Sequence, residues 1–285
     1  MILAAVYLRV SVPSIAPTIP LHCLDRAYLL VMHGSRDPRP RQAIDRLADR
    51  LRDRLADSLN SSTPNLPKTD RRPYIETAQL ELHPLPLSEQ ICQVADRAIA
   101  RGYRRIQLIP LFLLEGVHVR EDIPEQVKKA RALVGDRLAI EMSPAIGSRL
   151  DSMYHLLAAK IDRFASRQWI LLSHGSRREG GNRQVEELGK KLGVFTAYWS
   201  VSPSLEETIA QLRDTPPASL GDRGAREIAI FPYFLFVGGI TDAIADLIGE
   251  LSLKFSDLQF HLADPLGDSD DLAQIIFELM ATCAA

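Results

Sequence analysis

A short, almost wholly apolar run that stops at His-Gly-Ser-Arg occurs twice in this chain, and no other feature restricts its fold so tightly. The first copy is Tyr28-Leu29-Leu30-Val31-Met32 followed by His33-Gly34-Ser35-Arg36, and the second is Trp169-Ile170-Leu171-Leu172-Ser173 followed by His174-Gly175-Ser176-Arg177. The register persists beyond the phrase, since Leu47 and Leu51 match Leu188 and Leu192 at the same offset of 141. Two further landmarks recur in the same order. Ile109-Pro110-Leu111-Phe112-Leu113 with Gly116 answers Phe231-Pro232-Tyr233-Phe234-Leu235 with Gly238, and Ala145-Ile146-Gly147 answers Pro265-Leu266-Gly267. Three matched landmarks in one order imply two tandem copies of a single unit. The boundaries expected are an N-terminal extension over 1–26, a first unit over 27–150 and a second over 151–285. At 285 residues each copy is large enough to bury a core of its own.

Within each copy, strand patterns alternate with helix patterns. Runs near 28–32, 74–82, 106–114 and 138–142 read as strands, and amphipathic spacing predicts helices over 42–59, 88–101, 124–133 and 149–166. The second copy predicts strands near 169–173, 194–201, 227–235 and 258–262, with helices near 182–192, 204–213, 241–253 and 270–282. Such alternation implies an α/β fold, in each copy a four-stranded parallel sheet flanked by helices in the flavodoxin-like manner. Ligands of these sheets bind where the carboxyl ends of the strands release their loops. His33, Glu81 and His118 all fall on that edge. Residues 60–73, rich in Ser, Asn and Pro, read as a loop that the second copy lacks.

Composition excludes several classes. A net charge of −2 with 25% charged residues gives no electrostatic reason to bind nucleic acid or an anionic membrane. No run approaches the roughly 18 apolar residues that a membrane span needs. Cys23, Cys92 and Cys283 are odd in number and far apart, which fits a reducing, cytoplasmic compartment rather than a disulfide framework or zinc knot. The apolar start of the extension precedes its first charge, Arg9, the reverse of a signal peptide's order, so residues 1–26 are expected to be disordered.

Two histidines and a carboxylate from three strand ends can hold a divalent transition metal with open positions. The plain alternative is a set of hydrogen-bonded structural residues. Comparison of the copies weighs against it: His33 is kept as His174, whereas Glu81 falls opposite Ser200 and His118 opposite Ile240. One complete constellation beside one eroded copy points to an active first unit. Arg36, Arg39, Arg41 and Arg120, with Ser35, surround the complete set. Arginine grips carboxylates bidentately, so their number suggests a polyanionic substrate. His83 stands as a spare ligand or acid. A Ser35 hydrolase is disfavoured because no G-x-S-x-G elbow is present.

Taken together, H-G-S-R after a strand, Gln79-Leu80-Glu81-Leu82, the phrase from Pro110 to Pro124 (P-L-F-L-L-E-G-V-H-V-R-E-D-I-P) and the closing P-A-I-G resemble the sirohydrochlorin chelatase family of class II chelatases, in its long two-domain form. The resemblance covers residues 27–285. It implies insertion of Fe(II), for siroheme, or Co(II), for cobalamin, into sirohydrochlorin without ATP and without a prosthetic group. The metal is then a substrate. His33 and His118 match the family's metal-handling histidines and Glu81 its acidic partner, while Ser200 and Ile240 depart from the pattern in the second copy. That copy is expected to act as a built-in partner, giving a monomer with an internal pseudo-dimer. The competing reading is a carrier that binds metal or tetrapyrrole without turnover.

Overall fold

The computed structural model describes residues 26–62, 73–161, 168–214 and 226–281. The segments 1–25 and 63–72, on which the expected extension and most of the expected loop fall, lie outside the described residues. Two four-stranded parallel sheets are present, with strands β1 (Arg26–Met32), β2 (Ile75–Gln79), β3 (Arg105–Pro110) and β4 (Ala139–Met142) in the first and β5 (Gln168–Ser173), β6 (Phe195–Tyr198), β7 (Arg226–Pro232) and β8 (Leu258–Leu262) in the second. Their orders, β2-β1-β3-β4 and β6-β5-β7-β8, are the same. Matching backbone hydrogen bonds fix the correspondence of the copies. Leu111 donates to Val31 O as Tyr233 does to Leu172 O, and Glu81 donates to His33 O as Ser200 does to His174 O.

Eight α-helices complete the described fold: α1 (Pro38–Ser62), α2 (Leu87–Ala100), α3 (Ile123–Val134), α4 (Leu150–Ile161), α5 (Arg183–Leu192), α6 (Leu205–Asp214), α7 (Gly239–Lys254) and α8 (Asp270–Ala281). α1 starts earlier than its apolar spacing predicts, because Pro38 and Pro40 occupy the first turn, where the missing N–H costs nothing.

The two-residue period of each strand decides what lies on each face. Ala27, Leu29 and Val31 of β1, with Ile106 and Leu108 of β3, pack under α2 and α3. Ile170 and Leu172 of β5, with Ile228 and Ile230 of β7, pack under α6 and α7. The alternate residues, Tyr28, Leu30, Ile109, Trp169, Leu171 and Phe231, turn into one shared core with α1, α4, α5 and α8. Two private cores therefore flank a common one that belongs to both units.

The fourth helices close that common core by crossing over. α4 packs against α5, and α8 packs against α1, β3 and α4. A buried polar chain reinforces the second crossing. Arg26 bonds to Gln107 and, at 2.7 Å, to Glu141, while Gln107 Nε2 donates to Ser143 Oγ and to the Leu279 carbonyl of α8. Polar groups buried and partnered in this way tolerate few alternative arrangements, so the chain fixes the docking of α8. Arg46 to Asp268 and Arg50 to Asp270 add ion pairs along the α1–α8 seam.

Candidate metal and tetrapyrrole site

Strand order reverses direction on either side of β1, and the chain leaves the sheet there in two opposed loops. His33 follows the last residue of β1. Gly34 comes next with φ +109°, and a Cβ built on it would lie 2.1 Å from the Glu81 carbonyl oxygen, so only glycine lets the two loops approach. Glu81 lies two residues past the end of β2, which stops at Gln79, short of the expected 82. The bend is held by Gln90, whose side chain bonds to both the N–H and the C=O of Gln79. Leu82, exposed and at φ +58°, completes the turn that presents Glu81.

His118 is the first residue of a π-turn, His118–Asp122, that runs directly into α3. The wider turn also accommodates Pro124. In a continuous α-helix its ring would collide with the Arg120 carbonyl, and the wider turn, closed by Ile123 N–H to His118 O, relieves the collision.

These three loops bring His33, Glu81 and His118 together with one ligand atom of each within 4.8 Å of the others. The His33 Nε2 to Glu81 Oε2 distance is 3.9 Å, and the two imidazoles meet edge to face with centroids 4.7 Å apart. Metal–nitrogen and metal–oxygen bonds of about 2.1 Å place neighbouring ligand atoms about 3–4 Å apart, so rotamer adjustments of about 1 Å would close this set on an ion. Phe112 lies about equally far from both rings, at 6.3 and 6.2 Å. At one side His118 Nδ1 is 2.7 Å from Asp122 Oδ2.

The histidines open into a cleft of about 1170 Å³ between the two units. Ser35, His118 and Arg120 line it from one side; His174, Ser176, Arg178 and Arg183 line it from the other. Apolar walls are supplied by Leu111 to Leu114 and by Phe234 to Phe236. Burial pushes the Tyr233 phenol far above its ordinary value, which keeps this wall residue uncharged.

The second unit lacks the constellation. Ser200 donates its hydroxyl to the His174 carbonyl, and Ile240 stands near the start of α7. Among the described residues no second cluster of metal-ligating side chains occurs.

A profile of the family described as CbiX matches residues 27–163 and again 168–283. The chain belongs to the CbiX family. Among curated relatives, a sirohydrochlorin ferrochelatase of Priestia megaterium is 26% identical over 227 residues, covering 74% of this chain and 78% of that one. A sirohydrochlorin cobaltochelatase of the same organism is 24% identical over 264 residues, covering 89% and 78%. Among solved structures, SirB from Bacillus subtilis with Fe3+ superposes with a TM-score of 0.65 at 18% identity, covering 90% of this chain and 96% of that one. A CbiX described as the terminal enzyme of siroheme biosynthesis in denitrifying bacteria gives 0.59 at 21%, covering 91% and 100%.

Within this CbiX fold the basic residues divide differently from their order in sequence. Arg36 and Arg41 do not line the cleft, and Arg39 is committed elsewhere. Its guanidinium holds Asp37 and reaches across to Asp242 of α7 at 2.5 Å, an arrangement that lowers both carboxyls below their ordinary range. Arg178 crosses in the opposite sense to Glu121 of the π-turn. Ser35 Oγ accepts the Asp37 N–H, and so shapes its own loop. His83 is turned away as well, its Nδ1 accepting the Leu85 N–H at 3.0 Å. Sequence reasoning misses Asp122, Arg178 and Arg183. For Asp122 the four-residue spacing from His118 is the available signal, whereas the two arginines belong to the eroded copy.

Proposed function

We propose that the chain is a sirohydrochlorin chelatase that inserts a divalent metal, Fe(II) or Co(II), into the free-base tetrapyrrole. The observation that carries this is the convergence of His33, Glu81 and His118 on one point, with both histidines lining the inter-unit cleft. Membership of the CbiX family and relatives named for both iron and cobalt support it.

Metallation replaces two pyrrolic protons by one cation. It therefore needs a metal held loosely on one face of the macrocycle and a nearby proton acceptor. Neutral imidazoles of His33 and His118 offer the metal two nitrogens and leave it open positions for the incoming pyrroles. Glu81, half-exposed and 3.9 Å from His33, receives a pyrrole proton and passes it to solvent. The cleft is the right scale for a flat macrocycle, with apolar residues against its faces and arginines at its rim. Arg183 is the cleft guanidinium without a carboxylate partner among the described residues, since Arg120 pairs with Glu115 and Arg178 with Glu121. It anchors a peripheral carboxylate of the substrate. In this reading the first unit, 27–150, performs the reaction. The second, 151–285, supplies the opposite wall, so a monomer suffices.

The test is the anaerobic rate of metallosirohydrochlorin formation with Fe(II) and with Co(II), followed by absorbance above the spontaneous rate. His33→Ala and His118→Ala are expected to lose most of the activity and His174→Ala to retain it. Stoichiometric binding of tetrapyrrole by the wild type, with no acceleration for either metal, would replace this reading by a carrier.

A further inference from the structure

The two units differ by one residue at a place where the difference has chemical consequences. Up to the helix start they keep one offset: Pro110 corresponds to Pro232, and Arg120 N–H bonds to Gly116 O as Asp242 N–H bonds to Gly238 O. Beyond it the buried faces of α3 and α7 correspond as Ile123, Val127, Ala130 and Val134 to Ile244, Ile248, Leu251 and Phe255. The offset has fallen from 122 to 121. Between Arg120 and Ile123 stand Glu121 and Asp122; between Asp242 and Ile244 stands Ala243 alone. The π-turn is this extra residue, accommodated without disturbing the core register on either side. Both residues at the insertion are carboxylates with assigned partners. Glu121 takes Arg178 of the other unit, and Asp122 takes His118.

We infer that Asp122 is a positioning residue for the chelatase reaction: it holds His118 in the tautomer with the proton on Nδ1 and so turns the Nε2 lone pair toward His33, Glu81 and the incoming metal. A carboxylate only accepts hydrogen bonds, so at 2.7 Å the imidazole nitrogen facing it carries the proton. The other nitrogen is then the metal-binding one, and the ring has lost the freedom to rotate about Cβ–Cγ. The second unit lacks this device together with the histidine it would serve, having Ile240 in place of His118 and Ile244 four residues on. The inference rests on the chelatase reading for its purpose, but it is testable without tetrapyrrole.

The experiment uses the full chain labelled with ¹⁵N-histidine. Two-bond ¹⁵N–¹H correlation spectra report which ring nitrogen is protonated, with His118→Ala assigning the signal among the seven histidines. Wild type is expected to show His118 as the Nδ1–H form, and Asp122→Ala to shift it toward the Nε2–H form that predominates in a free histidine side chain. Co(II) titration of the same samples, read by visible absorbance, should weaken about 10–100-fold in Asp122→Ala, the usual cost of losing a carboxylate behind a metal-binding histidine. Asp122→Asn, whose amide oxygen still accepts from Nδ1, should keep the tautomer and recover part of the affinity. It also serves as the reading variant should Asp122→Ala fold poorly. An unchanged tautomer in Asp122→Ala, or Co(II) affinity within threefold of wild type in both variants, overturns the inference. Absence of metallation by the wild type would instead sink the chelatase reading and leave these two measurements standing.

Discussion

Replacing Gly34 by alanine tests the site's construction at its narrowest point. The native φ of +109° is one that an L-residue holds at a cost of about 1–3 kcal/mol. The new Cβ would also lie 2.1 Å from Glu81 O and 2.9 Å from Glu81 C, both backbone atoms, so no side-chain rotation relieves it. The loop carrying Glu81 must move, which gives up its 2.8 Å hydrogen bond to His33 O, about 1 kcal/mol more. The sum, about 2–4 kcal/mol, corresponds to a fall in Tm of about 5–15 °C for a chain of this size. Gly193 provides the control. It caps α5 at φ +69° with nothing within 4 Å of an added Cβ, so Gly193→Ala carries only the backbone cost, about 1–2 kcal/mol. Differential scanning calorimetry measures both variants, and Co(II) titration shows whether separation of His33 from Glu81 weakens the site. If Gly34→Ala costs no more than Gly193→Ala and binds Co(II) like the wild type, the crowded approach of the two loops does not build the site.

Other outcomes follow from packing and charge. Ile276→Ala in α8 empties a fully buried position of the shared core and should destabilise by about 2–5 kcal/mol, whereas Leu253→Ala, at a position 85% exposed, should stay within about 0.5 kcal/mol in denaturant unfolding. Because that core belongs to both sheets, loss of either set of strand signals should follow one transition in circular dichroism and hydrogen exchange. The carboxyls of Asp37 and Asp242 are lowered from 3.8 chiefly by hydrogen bonds from Arg39, so their contribution is complete above that value and is lost as pH falls below it. Arg39→Ala should therefore flatten the acid limb of the stability profile between pH 5 and 2 (a range of about three units) while leaving its shape near neutrality unchanged. Arg183→Ala should raise KM for the tetrapyrrole about tenfold, the equivalent of about 1.5 kcal/mol for one charged hydrogen bond, and Arg36→Ala, outside the cleft, should leave KM as it is.

Strands are legible in the sequence because buried parallel strands are apolar on both faces, and β1, β3, β5 and β7 are read from composition alone. Repetition then supplies what periodicity cannot, the pairing of landmarks that sets both sheets in one order. His33, Glu81 and His118 are brought to notice in the same way, as residues at strand ends of which Glu81 and His118 differ from their counterparts Ser200 and Ile240. Three features escape. The end of β2 depends on Gln90 reaching back to Gln79, a contact across eleven residues that no local pattern encodes. The division of arginines between cleft and ion pairs depends on which unit faces which, so Arg39 looks available until Asp242 stands opposite it. Pro124 signals a helix start, yet the helical turns begin at His118, and the π-turn that reconciles the two is visible in sequence only as a one-residue change of offset.

The crossing of α8 onto the first unit also sets a timetable. Gln107 in β3 and Leu279 in α8, joined by a hydrogen bond, are 172 residues apart. As the chain is synthesised, β1 to β4 can assemble early with α1 on one face and α2 and α3 on the other, but the strip of the inner face that α8 covers stays open until the whole second unit has followed. A nascent first unit is therefore adhesive along that strip, where the apolar side chains that α8 will cover face whatever is near. The second unit thus acts during synthesis as well, shielding this surface once it is made, a duty that persists whether or not it ever binds a metal.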